Sequence, residues 1–194
     1  MYEQRQKSKA PVVRLRENVS KIVHALAYVI KFADENDPRP SQYDLVKTLF
    51  LADRSHLNEW GRLITYDNYV AMQHGPVPSF AFDLLKGNTK AIAKIGGGDL
   101  PWSSVKEGNY FAYFDAQDLD FEEVLSQSDM DMLEKNYIVV RALGFSQVRK
   151  LTHEDAAYVD AWEDHVRKKQ FPMSLGMLFD SPNFEKAEEI AEFQ

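Results

Sequence analysis

Apolar residues recur at three- and four-residue intervals along most of this chain, and prolines, glycines and capping residues stand where that period breaks. Between Asn18 and Asn36, the residues Val19, Ile22, Val23, Leu26, Val29, Ile30 and Ala33 share one stripe, which predicts a helix with a single buried face. Asp37-Pro38-Arg39-Pro40 is expected to end it. Ser41, with Asp44 three positions on, reads as an N-cap opening a second helix that Gly61 closes. Tyr69 to Gln73 reads as a short strand, and Pro76 and Pro78 as a stiff turn leading into a brief helix capped by Ser79 and stopped at Gly87-Asn88. Ile95 to Asp99 is a glycine-rich loop, and Ser103–Lys106 with Asn109–Phe114 reads as a β-hairpin across Glu107-Gly108. Helices are expected again from Met132 to Leu143, capped at Ser128 and ended by Gly144, from a Thr152 cap to about His165, and after Ser181-Pro182. The fold class that follows is α+β, predominantly α-helical: a compact helical domain over residues 18–194 with a small antiparallel sheet or hairpin, preceded by a flexible basic extension, 1–17.

Composition narrows the function classes. The chain has 194 residues, of which 44% are hydrophobic, enough for one full core. It has no cysteine, which excludes disulfides, thiol nucleophiles and Cys-bearing metal sites. Neither an apolar leader nor a membrane-length apolar run is present, so a soluble cytoplasmic protein is expected. A formal charge of −7 disfavours nucleic acid as a partner, despite the basic runs at Arg5–Lys21 and Arg167-Lys168-Lys169. The acidic cluster Asp115, Asp118, Asp120, Glu122 and Glu123 could instead meet a basic partner.

One helix carries a chemical anomaly. Tyr43, Val46, Phe50, Asp53, Leu57 and Trp60 follow one another at spacings of three and four, so Asp53 falls on the stripe that should face inward. A carboxylate there requires hydrogen-bond donors, and the loop from Gly61 to Thr65 or the turn near His74 to Ser79 could supply them. Asp53 and His56 are therefore read as a structural tether. The same residues with His74 could form a hydrolytic dyad or relay, but no GxSxG, P-loop or HExxH pattern accompanies them. Neither a cofactor nor a metal is expected.

Lys47-Thr48-Leu49-Phe50-Leu51-Ala52-Asp53, Gly61-Arg62-Leu63-Ile64-Thr65, Tyr69-Val70-Ala71-Met72 and His74-Gly75-Pro76-Val77-Pro78-Ser79 together resemble the signature of the Panacea domain, the SocA-type antitoxin family of bacteria and phages. Phe145-Ser146 through Leu151-Thr152-His153-Glu154, and Ala161-Trp162, resemble its later elements. The resemblance implies a type II antitoxin, without catalysis, that binds and neutralises a co-encoded toxin. One branch of the family acts instead as an adaptor delivering its toxin to a ClpXP-type protease, and this alternative stays open. On this reading the cognate toxin is the partner, and the toxin-contacting residues would be Tyr69, Met72, His74, Pro76, Val77, Pro78, Phe80 and Phe82 on a rim that two prolines stiffen.

Overall fold

The computed structural model describes residues 9–36, 39–164 and 167–194. Its elements run in the order α1 (Val19–Asn36), α2 (Gln42–Trp60), β1 (Tyr69–Met72), β2 (Gly75–Pro78), α3 (Ser79–Leu85), α4 (Thr89–Lys94), β3 (Ser103–Glu107), β4 (Tyr110–Phe114), α5 (Phe121–Val124), α6 (Gln127–His153), α7 (Ala156–Ala161), β5 (Phe171–Pro172) and α8 (Phe184–Glu192), with a 3-10 turn at Leu175–Met177. Helices dominate. The strands make an antiparallel sheet in the order β2-β1-β5 and a separate β3-β4 hairpin. The fold is thus α+β and mainly helical.

α2 lies between two cores, which explains why its burial is not confined to one face. Leu45, Val46, Leu49 and Ala52 pack with Ile22, Leu26 and Ile30 of α1, Leu84 of α3 and Leu133 and Tyr137 of α6. Phe50 and Leu57 pack into a second cluster with Leu63, Tyr69, Tyr158, Phe171, Met173 and Leu178. The helix opens with the expected capping box: Ser41 accepts from the Asp44 N–H, and Asp44 in turn accepts from the Ser41 N–H at 2.8 Å. Gly61 closes it in the left-handed conformation, φ 73°.

Elsewhere the local signals misled, each for a physical reason. The double-proline segment is a strand: Pro76 and Pro78 sit in β2, paired with Ala71 and Tyr69 of β1. Prolines are tolerated there because β2 is an edge strand, with no ladder bond needed on its outer side. The turn is the tighter Gln73-His74 link, entered against Gly75 at φ 99°. Ser79 begins α3 but does not cap it; Pro78 occupies the N-cap and makes no side-chain bond. Asn88, read as a stop, caps α4 by accepting from the Lys90 and Ala91 N–H groups. Ser126 rather than Ser128 caps α6, in a capping box with Asp129.

Gly144 does not end α6; it bends it, with φ 68° and ψ 174°, and the helix resumes to His153. α7 is capped by Asp155 rather than Thr152 and ends at Ala161; the expected end at His165 lies outside the described residues. The last helix is capped by Asn183, two residues beyond Ser181. Asp37 and Pro38 also lie outside the described residues.

Residues 1–8 of the basic amino-terminal segment are likewise outside the description, but residues 9–17 lie against the body. The Ala10 N–H donates to Asp160, and Leu15 exchanges backbone bonds with the Asn68 amide at 2.9 Å each way. Leu15 is buried in the second core. None of the described helices is long and apolar enough to cross a membrane.

Candidate functional site

Asp53 is fully buried and saturated by its own chain. Its Oδ1 accepts from the backbone N–H groups of Ile64 at 2.6 Å and Thr65 at 3.0 Å, and its Oδ2 from the hydroxyls of Thr65 and Tyr69, the latter at 2.7 Å. These four donors pull the segment after α2 back across the helix and lock Tyr69 at the start of β1. Burial raises the Asp53 pKa from its ordinary value, with the hydrogen bonds opposing that shift.

His56, one turn on, faces elsewhere. Its Nδ1 lies 2.9 Å from the Arg62 carbonyl and its Nε2 3.1 Å from the Ser128 hydroxyl. Burial lowers its pKa, although Asp129 Oδ1 lies 3.2 Å from Nε2; the Arg62 carbonyl requires the proton on Nδ1, which donates to it. Beside it, Asp129 joins three elements, with Lys21 of α1 at 2.9 Å, Arg62 at 2.8 Å and the Ser126 N–H at 3.1 Å. Burial alone would raise the Asp129 carboxyl, but Lys21, the Ser126 N–H and Arg62 outweigh it and hold the pKa down.

A second buried carboxylate, Asp67, escaped the sequence reading. It accepts from the N–H groups of Phe80 at 3.0 Å, Ala81 at 2.8 Å and Asn68 at 2.7 Å, and so caps α3 from outside that helix. Burial pushes its pKa up to about 7, against those backbone bonds. The missing cap at Pro78 was the available clue.

The opposite end of α2 borders an open groove of about 820 Å³. One wall is the start of α2 with Tyr43, Val46 and Lys47; another is Met72, Gln73 and His74 of the β1–β2 hairpin. The tip of the β3–β4 hairpin contributes Tyr110 and Phe111, the bend of α6 Phe145, and the segment after α7 Trp162, Glu163, Asp164, Lys168 and Lys169. Its lips are aromatic and wet: Phe145 is 51%, Tyr110 50% and Phe111 47% exposed. Phe145 rests on Tyr43, ring centroids 4.6 Å apart, and meets the His74 ring edge-on at 5.8 Å. The Gly144 bend carries Phe145 to this position, so the unforeseen continuation of α6 builds one side of the groove.

Lys47 is only 1% exposed yet borders this groove. Its Nζ donates to the Pro76 carbonyl at 2.7 Å and stands 5.3 Å from the Tyr43 ring. Burial lowers its pKa to about 7. Gly75 passes directly over this group: a Cβ at that position would lie 2.7 Å from the Thr152 hydroxyl and 2.8 Å from Lys47 Nζ, so both its positive φ and its lack of a side chain are required.

The eight anticipated contact residues divide between those that line the groove, of which Val77 is itself buried, and those that do not. Met72, His74, Val77 and Phe82 line the groove. Tyr69, Pro76, Pro78 and Phe80 are buried within the chain, Tyr69 with its hydroxyl turned onto Asp53. The hydrolytic grouping of Asp53, His56 and His74 is not assembled: Asp53 is enclosed, His56 bonds Arg62 and Ser128, and His74 stands at the groove against Phe145. Among the described residues no cluster of His, Asp and Glu has the arrangement of a metal site.

No curated protein and no solved structure matches the chain. The family model described as antitoxin SocA-like, Panacea domain matches residues 45–158, which run from the first buried turn of α2 into the start of α7, and so include Lys47, Asp53, both hairpins and the Gly144 bend. With more than half of its length matched, this chain belongs to the SocA-like antitoxin family of Panacea-domain proteins.

Proposed function

We propose that this chain is an antitoxin that binds and neutralises a toxin encoded beside it, by direct contact through the groove between the start of α2, the β1–β2 hairpin and the Gly144 bend. The observation that carries this reading is the set of half-exposed aromatic side chains at the groove lips. Phe145, Tyr110 and Phe111 stand about half-exposed around a concave site, and aromatic anchors so placed are what a protein interface uses. Binding rather than turnover fits the polar groups too, because Asp53 and His56 spend their hydrogen-bonding capacity on their own chain.

The test is coexpression of this chain with the protein encoded by the neighbouring gene. Restored growth together with a copurifying complex supports the reading; growth inhibition that persists, with no complex, sinks it. A toxin that stays abundant and inactive marks direct inhibition, while one whose level falls only when ClpXP is present marks delivery to the protease.

A further inference from the structure

Among the described residues, buried ionisable groups in this fold are tied off by several partners from their own chain, and Lys47 is the exception that borders open space. An ammonium has three N–H donors. Lys47 spends one on the Pro76 carbonyl, and among the described residues it has no carboxylate partner in an ion pair. The two carboxylates that share the groove are engaged elsewhere: Glu163 pairs with Lys9, and Asp164 accepts the Trp162 indole N–H at 2.7 Å. Lys168 and Lys169 add positive charge at the rim, so within a chain of net charge −7 this groove is locally cationic. A buried cation without a counter-charge is costly, and a bound anion relieves that cost.

We propose that the groove takes a segment of a protein partner bearing an acidic side chain next to an aromatic or aliphatic one, with the carboxylate seated on Lys47 Nζ and the apolar side chain among Tyr43, His74 and Phe145. This rests on the groove reading above and names the chemistry it selects. A protein segment fits better than a free phosphate for two reasons. Lys47 is a single deep cation with two donors to spare, suited to one carboxylate, whereas a phosphate calls for several converging donors. The aromatic lips, moreover, are satisfied only by apolar side chains.

The groups facing Lys47 are the Tyr43 ring on its own helix, the Pro76 carbonyl on β2 and Thr152 on α6, while His153, beside Gly75, lies within electrostatic reach of Lys47, His74, Arg149 and Asp164. Asp164 is the anionic member of this set, and Lys168 and Lys169 at the rim oppose its repulsion of an entering carboxylate. Because Lys47 titrates near neutrality in the free protein, occupancy also draws a proton onto it as pH rises.

The experiment is selection of a phage-displayed random peptide library on the intact folded protein at mildly acidic pH, followed by calorimetry on a synthetic peptide of the enriched sequence. The expected consensus pairs Asp or Glu with a neighbouring aromatic or aliphatic residue. Changing that acidic residue to its amide should weaken binding at least about tenfold, as should Lys47→Met, each being the loss of one charge-assisted contact. Affinity of the parent peptide should fall about fivefold from pH 7 to pH 8.5, as the fraction of charged Lys47 falls while the apolar contacts persist, and this dependence should vanish in Lys47→Met.

The amide change is made in the peptide, so the folding of a variant is not at issue there. No enrichment, a consensus without an acidic residue, equal binding of acid and amide, or displacement of the peptide by millimolar inorganic phosphate would each overturn the proposal. Peptide capture needs no toxin. It can therefore fail while coexpression succeeds, or succeed while coexpression fails, which separates this inference from the antitoxin reading.

Discussion

Two buried charges sit on α2 less than two turns apart, and the chain treats them in opposite ways. Asp53 receives four hydrogen bonds from Ile64, Thr65 and Tyr69 and has no route to solvent. Lys47 receives one carbonyl and lies at the wall of a groove. A charge saturated by its own fold holds that fold together; a charge left partly unsatisfied beside open space costs stability and is available to a ligand. The difference separates the half of the helix that its own chain ties down from the half that borders the groove.

Breaking the tied-down half should have the largest effect. Asp53→Ala leaves two backbone N–H groups and the Thr65 hydroxyl buried without acceptors, and the Tyr69 hydroxyl with only the Leu49 carbonyl at 3.2 Å, and should cost about 4 kcal/mol in urea unfolding, enough to prevent folding of a marginal domain. A loss below about 1 kcal/mol would mean that these donors find water, and that Asp53 is not the tether its geometry describes.

Gly75→Ala should come next, at about 3 kcal/mol, since the added methyl meets Thr152 and Lys47 and the backbone sits at φ 99°. This substitution sharpens the contrast because it strikes the roof over Lys47 without changing any charge. Tryptophan fluorescence during chemical denaturation would report it.

Lys47→Met should act in the opposite direction. The folded-state pKa is lowered from 10.5 to about 7, so the unfolded chain holds the proton more tightly, and the native state is penalised wherever the unfolded lysine is charged. From this group, stability should therefore be lowest below pH 7 and rise as pH increases toward 10. Methionine should stabilise the protein by about 3 kcal/mol at pH 6, a gain that disappears near pH 10.5. A gain that does not change with pH would show that Lys47 is charged in the fold throughout.

Phe145→Ala should change stability least, by less than about 1 kcal/mol, because half of the ring already faces water. Its effect should appear in toxin or peptide affinity. An unfolding cost comparable to that of a core phenylalanine would place Phe145 in the scaffold instead.

The legible part of this protein was the part written in neighbouring residues. α1 and α2 were readable within a residue or two at each end, since a stripe of Val, Ile and Leu and a Ser41–Asp44 box depend only on helical spacing. The β3–β4 hairpin was readable, though its turn falls at Gly108-Asn109, one residue beyond the expected Glu107-Gly108. The role of Asp53 was half legible: its place on an apolar stripe showed that donors must come, and the Gly61–Thr65 loop was one of the two named sources. Asp67 was not legible, because it acts on Phe80 and Ala81 across a hairpin. Nor was Gly144, where the same residue that ends most helices only redirects this one.

The groove shows the limit most plainly. Met72, His74, Val77 and Phe82 were found from the stretch that carries the family signature, but Tyr43, Tyr110, Phe145 and Trp162 join them only through the approach of four separate segments. Lys47 was quoted in that signature and assigned nothing, since the sequence cannot say that a lysine on a helix will be walled in by a proline carbonyl and a glycine from a distant strand.

By itself, then, the sequence determined a helical domain, the family to which it belongs and the burial of one carboxylate, because periodicity, capping and motif are local properties of the chain. The tertiary structure alone decided which buried charges are satisfied and which faces the groove. Burial and hydrogen-bond satisfaction are properties of what packs around a residue, and that is set by segments remote in the chain.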